Sequence, residues 1–239
     1  MLGIVIPAHN EEANIATCVA SAVLAARHPG LQGEAVEIIV VLDSCSDATG
    51  ILAARAGAAT VSVRARNVGV ARAVGAEAAL ARGARWLAFT DADTRVAPDW
   101  LVEQLALEAD AVCGTVGVSD WSPHGEHAGL LHAHFLETYT DLDGHRHIHG
   151  ANLGVSARAY RHAGGFRHLA CSEDVAFVSA LEASGARIAW SARPRVDTSA
   201  RRDARASGGF ADALMGAVLE RLSGVAAPLR PVPAGAASA

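Results

Sequence analysis

The sequence contains no lysine, because all 20 of its basic residues are arginine. Schiff-base chemistry, pyridoxal enzymes and the phosphate-binding P-loop each depend on a lysine amine and are therefore excluded. The chain also has no excess of positive charge, since its formal net charge at pH 7 is −5. This balance gives no electrostatic reason to bind nucleic acid or an anionic membrane. We therefore expect small molecules as partners.

Long apolar runs and paired cysteines are missing as well. The charge-free apolar stretch at 13–26 is too short to span a bilayer and contains polar residues. The four cysteines form no CxxC pair, and we find no secretory leader before them. We expect reduced thiols in a cytoplasmic protein without a transmembrane segment. Peripheral association with the inner face of the membrane stays open.

The composition that remains is that of a folded globular domain. The chain has 239 residues, of which 51% are hydrophobic, enough for one ordinary domain or at most two small ones. Short apolar runs alternate with alanine-rich helical stretches, a pattern typical of βαβ units around a mostly parallel sheet. The predicted strands are 2–7, 36–42, 60–63, 85–90 and 111–118. The predicted helices are 11–27, 47–56, 68–82 and 98–108.

The second half of the chain is less regular. Residues 119–150 lose the periodic pattern and are too long for a simple connection, which indicates a functional segment. Periodicity returns at 151–160, 173–184, 186–191 and 210–222. The tail from Gly224 is rich in alanine and proline, and we expect it to be frayed.

Polar clusters follow three of the predicted strands, at 7–12, 43–47 and 90–93. Open parallel α/β sheets bind ligands beyond the carboxyl ends of their strands. For Glu11, Glu12 and Asp47 taken singly, capping of the next helix is the favoured interpretation. Asp91 and Asp93 differ, because two close carboxylates repel each other without a cation, and their hard oxygens suit Mg²⁺ or Mn²⁺.

The first strand is not followed by GxGxxG, so a diphosphate at this edge would need a metal and arginines. Arg201 and Arg205 are one helical turn apart and could clamp such a diphosphate. A solvated run of charge explains these arginines equally well.

Seven of the eleven histidines lie between His124 and His149. If the stretch containing His145, His147 and His149 is a strand, the three side chains face one side and could bind Zn²⁺ or Mn²⁺. We favour a polar loop that lines a cleft, because short histidine tracts are weak evidence for a metal.

Motifs in a fixed order make the sequence resemble glycosyltransferase family 2 over roughly residues 1–222. They are VIPAHNEEANI, VVLDSCSDAT, RNVGVARAVGAEAA, TDAD, GANLGVSARAYRHAGGF and SEDVAF. The resemblance implies an α/β protein of the GT-A fold, with a mostly parallel central sheet flanked by helices. It implies one catalytic domain over 1–223, with a nucleotide-binding half at 1–118, an acceptor-binding half at 119–223 and a flexible tail at 224–239.

The resemblance also implies a role for each matching residue. On the donor side, Pro7, His9 and Glu11 would line the nucleoside pocket, Asp43 would accept the base N–H, Arg72 would approach the base or the diphosphate, Asp91 would reach the ribose or a metal-bound water, and Asp93 would ligate the metal. On the acceptor side, Asp174 would be the general base with Glu173 as its neighbour in the pocket, and Asn152, His147 and His149 would lie nearby.

The sequence departs from the family pattern at Leu42, where an aspartate is common, and at Ala73, where an asparagine is usual. The absence of QxxRW argues against a processive polymer synthase. The like charge of Glu173 would raise the pKa of Asp174, and the helix amides would lower it. The sequence leaves that balance open.

These observations predict a metal-dependent inverting glycosyltransferase with Mn²⁺ or Mg²⁺ as cofactor. It would move a sugar from a UDP- or GDP-sugar to a hydroxyl of a small-molecule, lipid or saccharide acceptor. One alternative is a non-catalytic nucleotide-sugar-binding protein. Another is a sugar nucleotidyltransferase, which would carry a glycine-rich loop with arginine and lysine where this chain reads PAHNEEAN. The sequence also leaves room for a homodimer.

Overall fold

The computed structural model describes residues 1–201. The strands are β1 (Leu2–Ala8), β2 (Val36–Asp43), β3 (Ala59–Val63), β4 (Trp86–Phe89), β5 (Thr94–Val96), β6 (Ala111–Gly114), β7 (Leu153–Ser156), β8 (Ile188–Ser191) and β9 (Val196–Thr198). The helices are α1 (Ile15–Ala26), α2 (Thr49–Ala56), α3 (Val68–Ala81), α4 (Trp100–Ala106), α5 (Ala128–Thr138), α6 (Ala157–His162) and α7 (Glu173–Ala183), with short 3-10 helices at Pro29–Leu31 and Ser122–His127.

Seven strands form one sheet in the order β3-β2-β1-β4-β7-β6-β8. The β1 strand pairs in parallel with both β2 and β4, and β6 pairs in parallel with β8. The β7 strand is antiparallel to its neighbours β4 and β6. The β5 and β9 strands form a separate antiparallel pair. The predicted mixed α/β architecture with a mostly parallel sheet flanked by helices is therefore confirmed.

Helix α3 lies directly against the parallel strands. Its Gly75 faces Val5 so closely that an added Cβ would overlap the valine side chain. An added Cβ at Gly3 of β1 would lie 2.7 Å from the Cβ of Ala79 in the same helix. Strands covered on both faces become almost continuously apolar, as β1 and β2 are. This packing fixes the height of α3 relative to the sheet, and with it the position of Arg72.

The strands and helices predicted before residue 111 are present. The strands β1, β2 and β3 are each one residue longer than predicted, whereas β4 and the four helices are shorter. The predicted helix at 11–27 begins at Ile15, and the helix at 98–108 is Trp100–Ala106. The predicted strand at 111–118 ends at Gly114. The three-residue strands β5 and β9 were not predicted, because such short elements carry no detectable period.

The interpretation of 119–150 as irregular was wrong in part. Ser122–His127 is a 3-10 helix and Ala128–Thr138 is helix α5, whose histidines interrupt the apolar period that would have revealed it. Residues 145–149 are not a strand, so the geometric basis for a three-histidine metal site is lost. The stretch 151–160 divides into β7 and α6, and 186–191 contains β8.

Two compact units are distinguished. The first contains 1–119 and 141–199, and the second contains, among the described residues, 120–140, Ala200 and Arg201. Within the second, Trp121 stacks on His132 with ring centroids 5.6 Å apart. The helix predicted at 210–222 and the tail from 224 lie outside the described residues, and the division into halves at residue 118 stays a prediction. No helix within residues 1–201 has the length and apolarity needed to cross a bilayer.

Candidate active site

The loops that follow β1 and β2 are tied to each other at the carboxyl edge of the sheet. The side-chain oxygen of Asn10 accepts a hydrogen bond from the amide of Ser46 at 2.8 Å. The carboxylate of Glu12 accepts from the amide of Ala48 at 3.0 Å, and the amide of Glu12 donates to the carboxylate of Asp47 at 3.1 Å. Glu12 and Asp47 thus join the two loops through backbone amides, and neither is the N-cap residue of α1 or α2, where no side-chain cap hydrogen bond is present.

Asp43, at the end of β2, organises the loop after β3. Its carboxylate accepts hydrogen bonds from the amides of Ala65 and Arg66 at 2.8 Å, from the amide of Asn67 at 2.7 Å and from the hydroxyl of Ser44 at 3.0 Å. Burial alone would raise the pKa of this carboxyl. The backbone donors outweigh burial and hold the pKa of Asp43 below its ordinary value. Asp43 is therefore ionised and structurally engaged, and its predicted contact with a base stays a prediction.

The other residues predicted for the nucleoside pocket lie in β1 and the loop that follows it. The Nδ1 atom of His9 lies 2.7 Å from the carbonyl oxygen of Asp43. Pro7 is half-buried in β1. Glu11 is 4% exposed, and its carboxylate accepts from the side-chain amide of Asn14 at 2.8 Å. The structure therefore brings Pro7 and His9 to one edge, while it turns Glu11 toward the protein interior.

The carboxylates after β4 lie close to a buried thiol. The buried thiol of Cys18 lies 3.3 Å from the carbonyl oxygen of Asp91. Burial first, and then the charges of Asp93, Asp91 and Glu11, raise the pKa of this thiol. Among residues 1–201, no three histidine, cysteine, aspartate or glutamate side chains converge closely enough to hold a metal. The role of Asp91 and Asp93 as metal ligands stays a prediction.

Arg72 of α3 is buried, and its predicted approach to the base or the diphosphate stays a prediction. It is 3% exposed. Its Nη2 atom lies 2.5 Å from Oδ1 of Asp91, and its Nη1 atom forms an ion pair with Glu173. The backbone of Gly150 covers it so closely that an added Cβ would overlap the guanidinium.

Glu173 and Asp174 begin α7, and the two carboxylates have different surroundings. Glu173 is 4% exposed and pairs with Arg72, which corrects the expectation that it faces the acceptor pocket. Asp174 is half-buried, and its Oδ2 atom accepts from the amide of Gly150 at 2.8 Å. Its Oδ1 atom accepts from the amide of Val175 at 2.8 Å. The helix amides thus reach Asp174 while it keeps an exposed side.

Asn152 supports the wall of the site and does not face an acceptor. It is 0% exposed. Its Oδ1 accepts from the indole N–H of Trp100 at 2.8 Å, and its Nδ2 donates to the carbonyl oxygens of Thr115 at 2.7 Å and Pro194 at 2.9 Å. The acceptor-side assignment of Asn152 is therefore corrected, because both of its donor hydrogens are used inside the protein.

His145, His147 and His149 form a stacked series of rings. Adjacent centroids are 5.5 Å and 5.9 Å apart, and His145 meets Trp190 edge-on. Burial lowers the pKa of His145, and burial together with the neighbouring imidazoles lowers the pKa of His149 to about 3. Both rings are therefore neutral at pH 7. Their part in holding an acceptor stays a prediction.

The residue that the sequence analysis missed is Gly150, which joins Asp174 to Arg72. From the sequence, we looked for site residues directly after the carboxyl end of each strand. Gly150 instead lies before the antiparallel strand β7. Arg201 is the last described residue and belongs to the second unit, and Arg205 lies outside the described residues. Their predicted contact with the donor diphosphate stays a prediction.

The sheet order, the DxD triplet after β4 and the Glu-Asp pair at the start of α7 together define an α/β protein of the GT-A class. The family described as Glycosyl transferase family 2 matches residues 3–164, which is more than half of the chain. The chain belongs to this family. The predictions of family, fold and enzyme class are thereby confirmed at the level of the family. No curated protein matches the sequence.

Solved structures agree on the fold. A fragment of S. aureus TarS in complex with UDP-GlcNAc has 15% identity and a TM-score of 0.63, covering 87% of this chain and 61% of that one. Glucosyl-3-phosphoglycerate synthase from M. tuberculosis has 19% identity and a TM-score of 0.60, covering 93% and 81%. The mannosyltransferase PcManGT from Pyrobaculum calidifontis, in complex with GDP-Man and Mn²⁺, has 18% identity and a TM-score of 0.53, covering 81% and 57%. This chain thus spans less than two thirds of the TarS fragment.

Proposed function

We propose that the protein transfers a sugar from a nucleotide-diphosphate donor to a hydroxyl of an acceptor, with inversion at the anomeric carbon. One observation carries this proposal: Asp91 at the donor edge and Asp174 at the start of α7 are linked through Arg72 and Gly150. The nucleotide sugars bound in the TarS and PcManGT structures support a donor of the same class. UDP- and GDP-sugars are both candidates.

A divalent cation suits the donor edge. Asp91 and Asp93 offer hard oxygen ligands, and after burial their charges contribute to the raised pKa of the nearby Cys18 thiol. Mg²⁺ in proteins is commonly held by one or two carboxylates together with substrate phosphates. When bound, Mn²⁺ or Mg²⁺ would act as a Lewis acid for the diphosphate leaving group. The Mg²⁺ and UDP in one structure of the M. tuberculosis synthase are consistent with this assignment.

Asp174 is the proton acceptor in this proposal. The amides of Gly150 and Val175 fix the direction of its carboxylate. The acceptor oxygen forms a bond to the anomeric carbon as the bond to the diphosphate oxygen breaks on the opposite face, and the hydroxyl proton passes to Asp174. The leaving group departs as a nucleoside diphosphate.

The test of the donor side is calorimetric titration of UDP and GDP with Mn²⁺ and with EDTA. We expect the cation to tighten binding, and Asp93→Asn to remove that gain. Asp99→Asn is the matched control, because Asp99 is exposed and its side chain caps no helix amide. Equal affinity with Mn²⁺ and with EDTA in the wild type would contradict metal dependence.

Incubation with a panel of UDP- and GDP-sugars separates the alternative functions. A glycosyltransferase releases a nucleoside diphosphate, either on transfer or by slow hydrolysis. A nucleotide-sugar-binding protein would bind the donor and never consume it. A sugar nucleotidyltransferase would release pyrophosphate from a nucleoside triphosphate and a sugar phosphate. The acceptor class, a homodimer, and a cytoplasmic location with or without contact to the inner face of the membrane stay predictions.

A further inference from the structure

The guanidinium of Arg72 connects the carboxylates of Asp91 and Glu173, which lie far apart in the chain. Asp91 retains 37% side-chain exposure, whereas the side chains of Arg72 and Glu173 are only 4% and 5% exposed. The ion-pair network therefore has one end at the donor edge and the other in the interior. Its buried end is the first residue of α7, directly before Asp174.

Protein groups enclose the guanidinium of Arg72. Gly150 lies against the guanidinium, and the ring of Phe166 lies 5.9 Å from its Cζ atom. A phosphate contact at either Nη atom would require breaking an ion pair with Asp91 or Glu173, and the Nε atom is buried without a hydrogen-bond partner among the described residues. Removing one partner of a buried ion pair leaves an uncompensated charge and is strongly unfavourable.

Arg72 is connected to Asp174 indirectly, through two neighbouring residues. One is the peptide bond from Glu173, whose carboxylate is paired with Arg72. The other is Gly150, which packs on the guanidinium and donates its amide to the carboxylate of Asp174 at 2.8 Å. Both routes depend on a planar guanidinium that can bond two carboxylates at once.

We infer that Arg72 is a positioning residue, which holds Asp174 of the acceptor side at a fixed distance from Asp91 of the donor side and does not contact the sugar nucleotide. The inference rests on the proposed function. A displacement of about 1 Å at a reacting group can lower a rate about 10²-fold. Arg72 therefore contributes to turnover through Asp174 and makes no direct contribution to donor affinity.

The test compares Arg72→Lys, Glu173→Gln and the wild type. Lysine keeps the charge but cannot bond both carboxylates, and glutamine keeps the shape of Glu173 without its charge. Arg82→Met is the matched control, because Arg82 is an exposed arginine at the end of the same helix and pairs with Glu37. Nucleotide affinity is measured by calorimetry, and kcat and KM are measured with the donor.

We expect Arg72→Lys and Glu173→Gln to bind the nucleotide within about threefold of wild type and to lose about 10²-fold in kcat, with little change in the donor KM. Arg82→Met should match the wild type. A fall of more than about tenfold in nucleotide affinity with kcat retained would overturn the inference, because it would place Arg72 in contact with the donor. A wild-type kcat in Arg72→Lys would overturn it as well.

Amide hydrogen exchange at Gly150 gives a readout that does not depend on activity. Its N–H donates to Asp174 in the folded protein, and we expect Arg72→Lys to accelerate its exchange about tenfold or more while amides in β1 stay protected. Unchanged protection of Gly150 would overturn the inference. If the wild type consumes no sugar nucleotide, the proposed function fails, and the exchange rate at Gly150 still decides whether Arg72 positions Asp174.

Discussion

Replacement of Asp43 should lower the stability of the fold before it affects any ligand. The carboxylate is 5% exposed and accepts hydrogen bonds from three consecutive backbone amides, at 65, 66 and 67. Hydrogen bonds to a charged group each contribute about 1.5–3 kcal/mol, and a buried donor left without a partner loses that stabilisation. We therefore expect Asp43→Ala to lower the free energy of unfolding by about 3–5 kcal/mol.

The milder variant Asp43→Asn gives the sharper measurement. Its amide keeps one oxygen as an acceptor and turns an NH₂ group toward the remaining backbone donor, which costs about 2–3 kcal/mol. The folded pKa of Asp43 lies below its ordinary value of 3.8. Its stabilisation is therefore fully present above that pH and is lost as the pH falls through the folded pKa. The difference in free energy of unfolding between the wild type and Asp43→Asn should therefore become smaller in that acidic range.

Urea denaturation from pH 7 downward measures this difference, with Asp99→Asn as the exposed control. A free energy of unfolding for Asp43→Asn within about 0.5 kcal/mol of wild type at pH 7 would refute the reasoning. The same variants test whether Asp43 also reads the base. If Asp43 binds the base, the variant should also lose about 1–3 kcal/mol of binding free energy for the nucleotide. This loss is measured under conditions where both proteins are fully folded.

The remaining predictions concern the acceptor side. Asp174→Asn should bind the donor normally and lose about 10²–10⁴-fold in turnover, and sugar transfer at the wild-type rate would contradict its role. Gly150→Ala should lower the free energy of unfolding by about 1–3 kcal/mol, because the added Cβ overlaps Arg72. Gly129→Ala is its control, since a Cβ there meets nothing within 4 Å. Equal thermal midpoints for these two variants would show that the packing argument is wrong.

The first four strands of the large sheet could be predicted because each is a short apolar run, and a polar cluster follows three of them. Parallel strands buried on both faces require such runs, and their carboxyl ends locate a binding edge. Asp43, Asp91 and Asp93 were selected by this rule, and the structure places all three at the ends of strands. The selection needed only local sequence.

The supporting residues could not be predicted, because their surroundings come from distant parts of the chain. Arg72 lies in an alanine-rich helix, where an arginine usually indicates an exposed face. It is buried because Asp91 and Glu173 neutralise it. Asn152 is likewise buried because Trp100, Thr115 and Pro194 supply its partners. A pattern of polar and apolar residues carries no information about such long-range pairs.

The insertion of β7 between β4 and β6 sets an order in which this sheet can assemble. The strands β1 to β4 are joined by short βαβ connections and can form from local contacts as the chain emerges. One edge of β4 stays open until Leu153–Ser156 arrives from more than sixty residues further along. An open edge of apolar residues is a template for pairing with another chain, and such late pairing slows folding. A chain that ends before β7 would therefore leave Trp86–Phe89 as an unpaired apolar edge strand that is prone to aggregation.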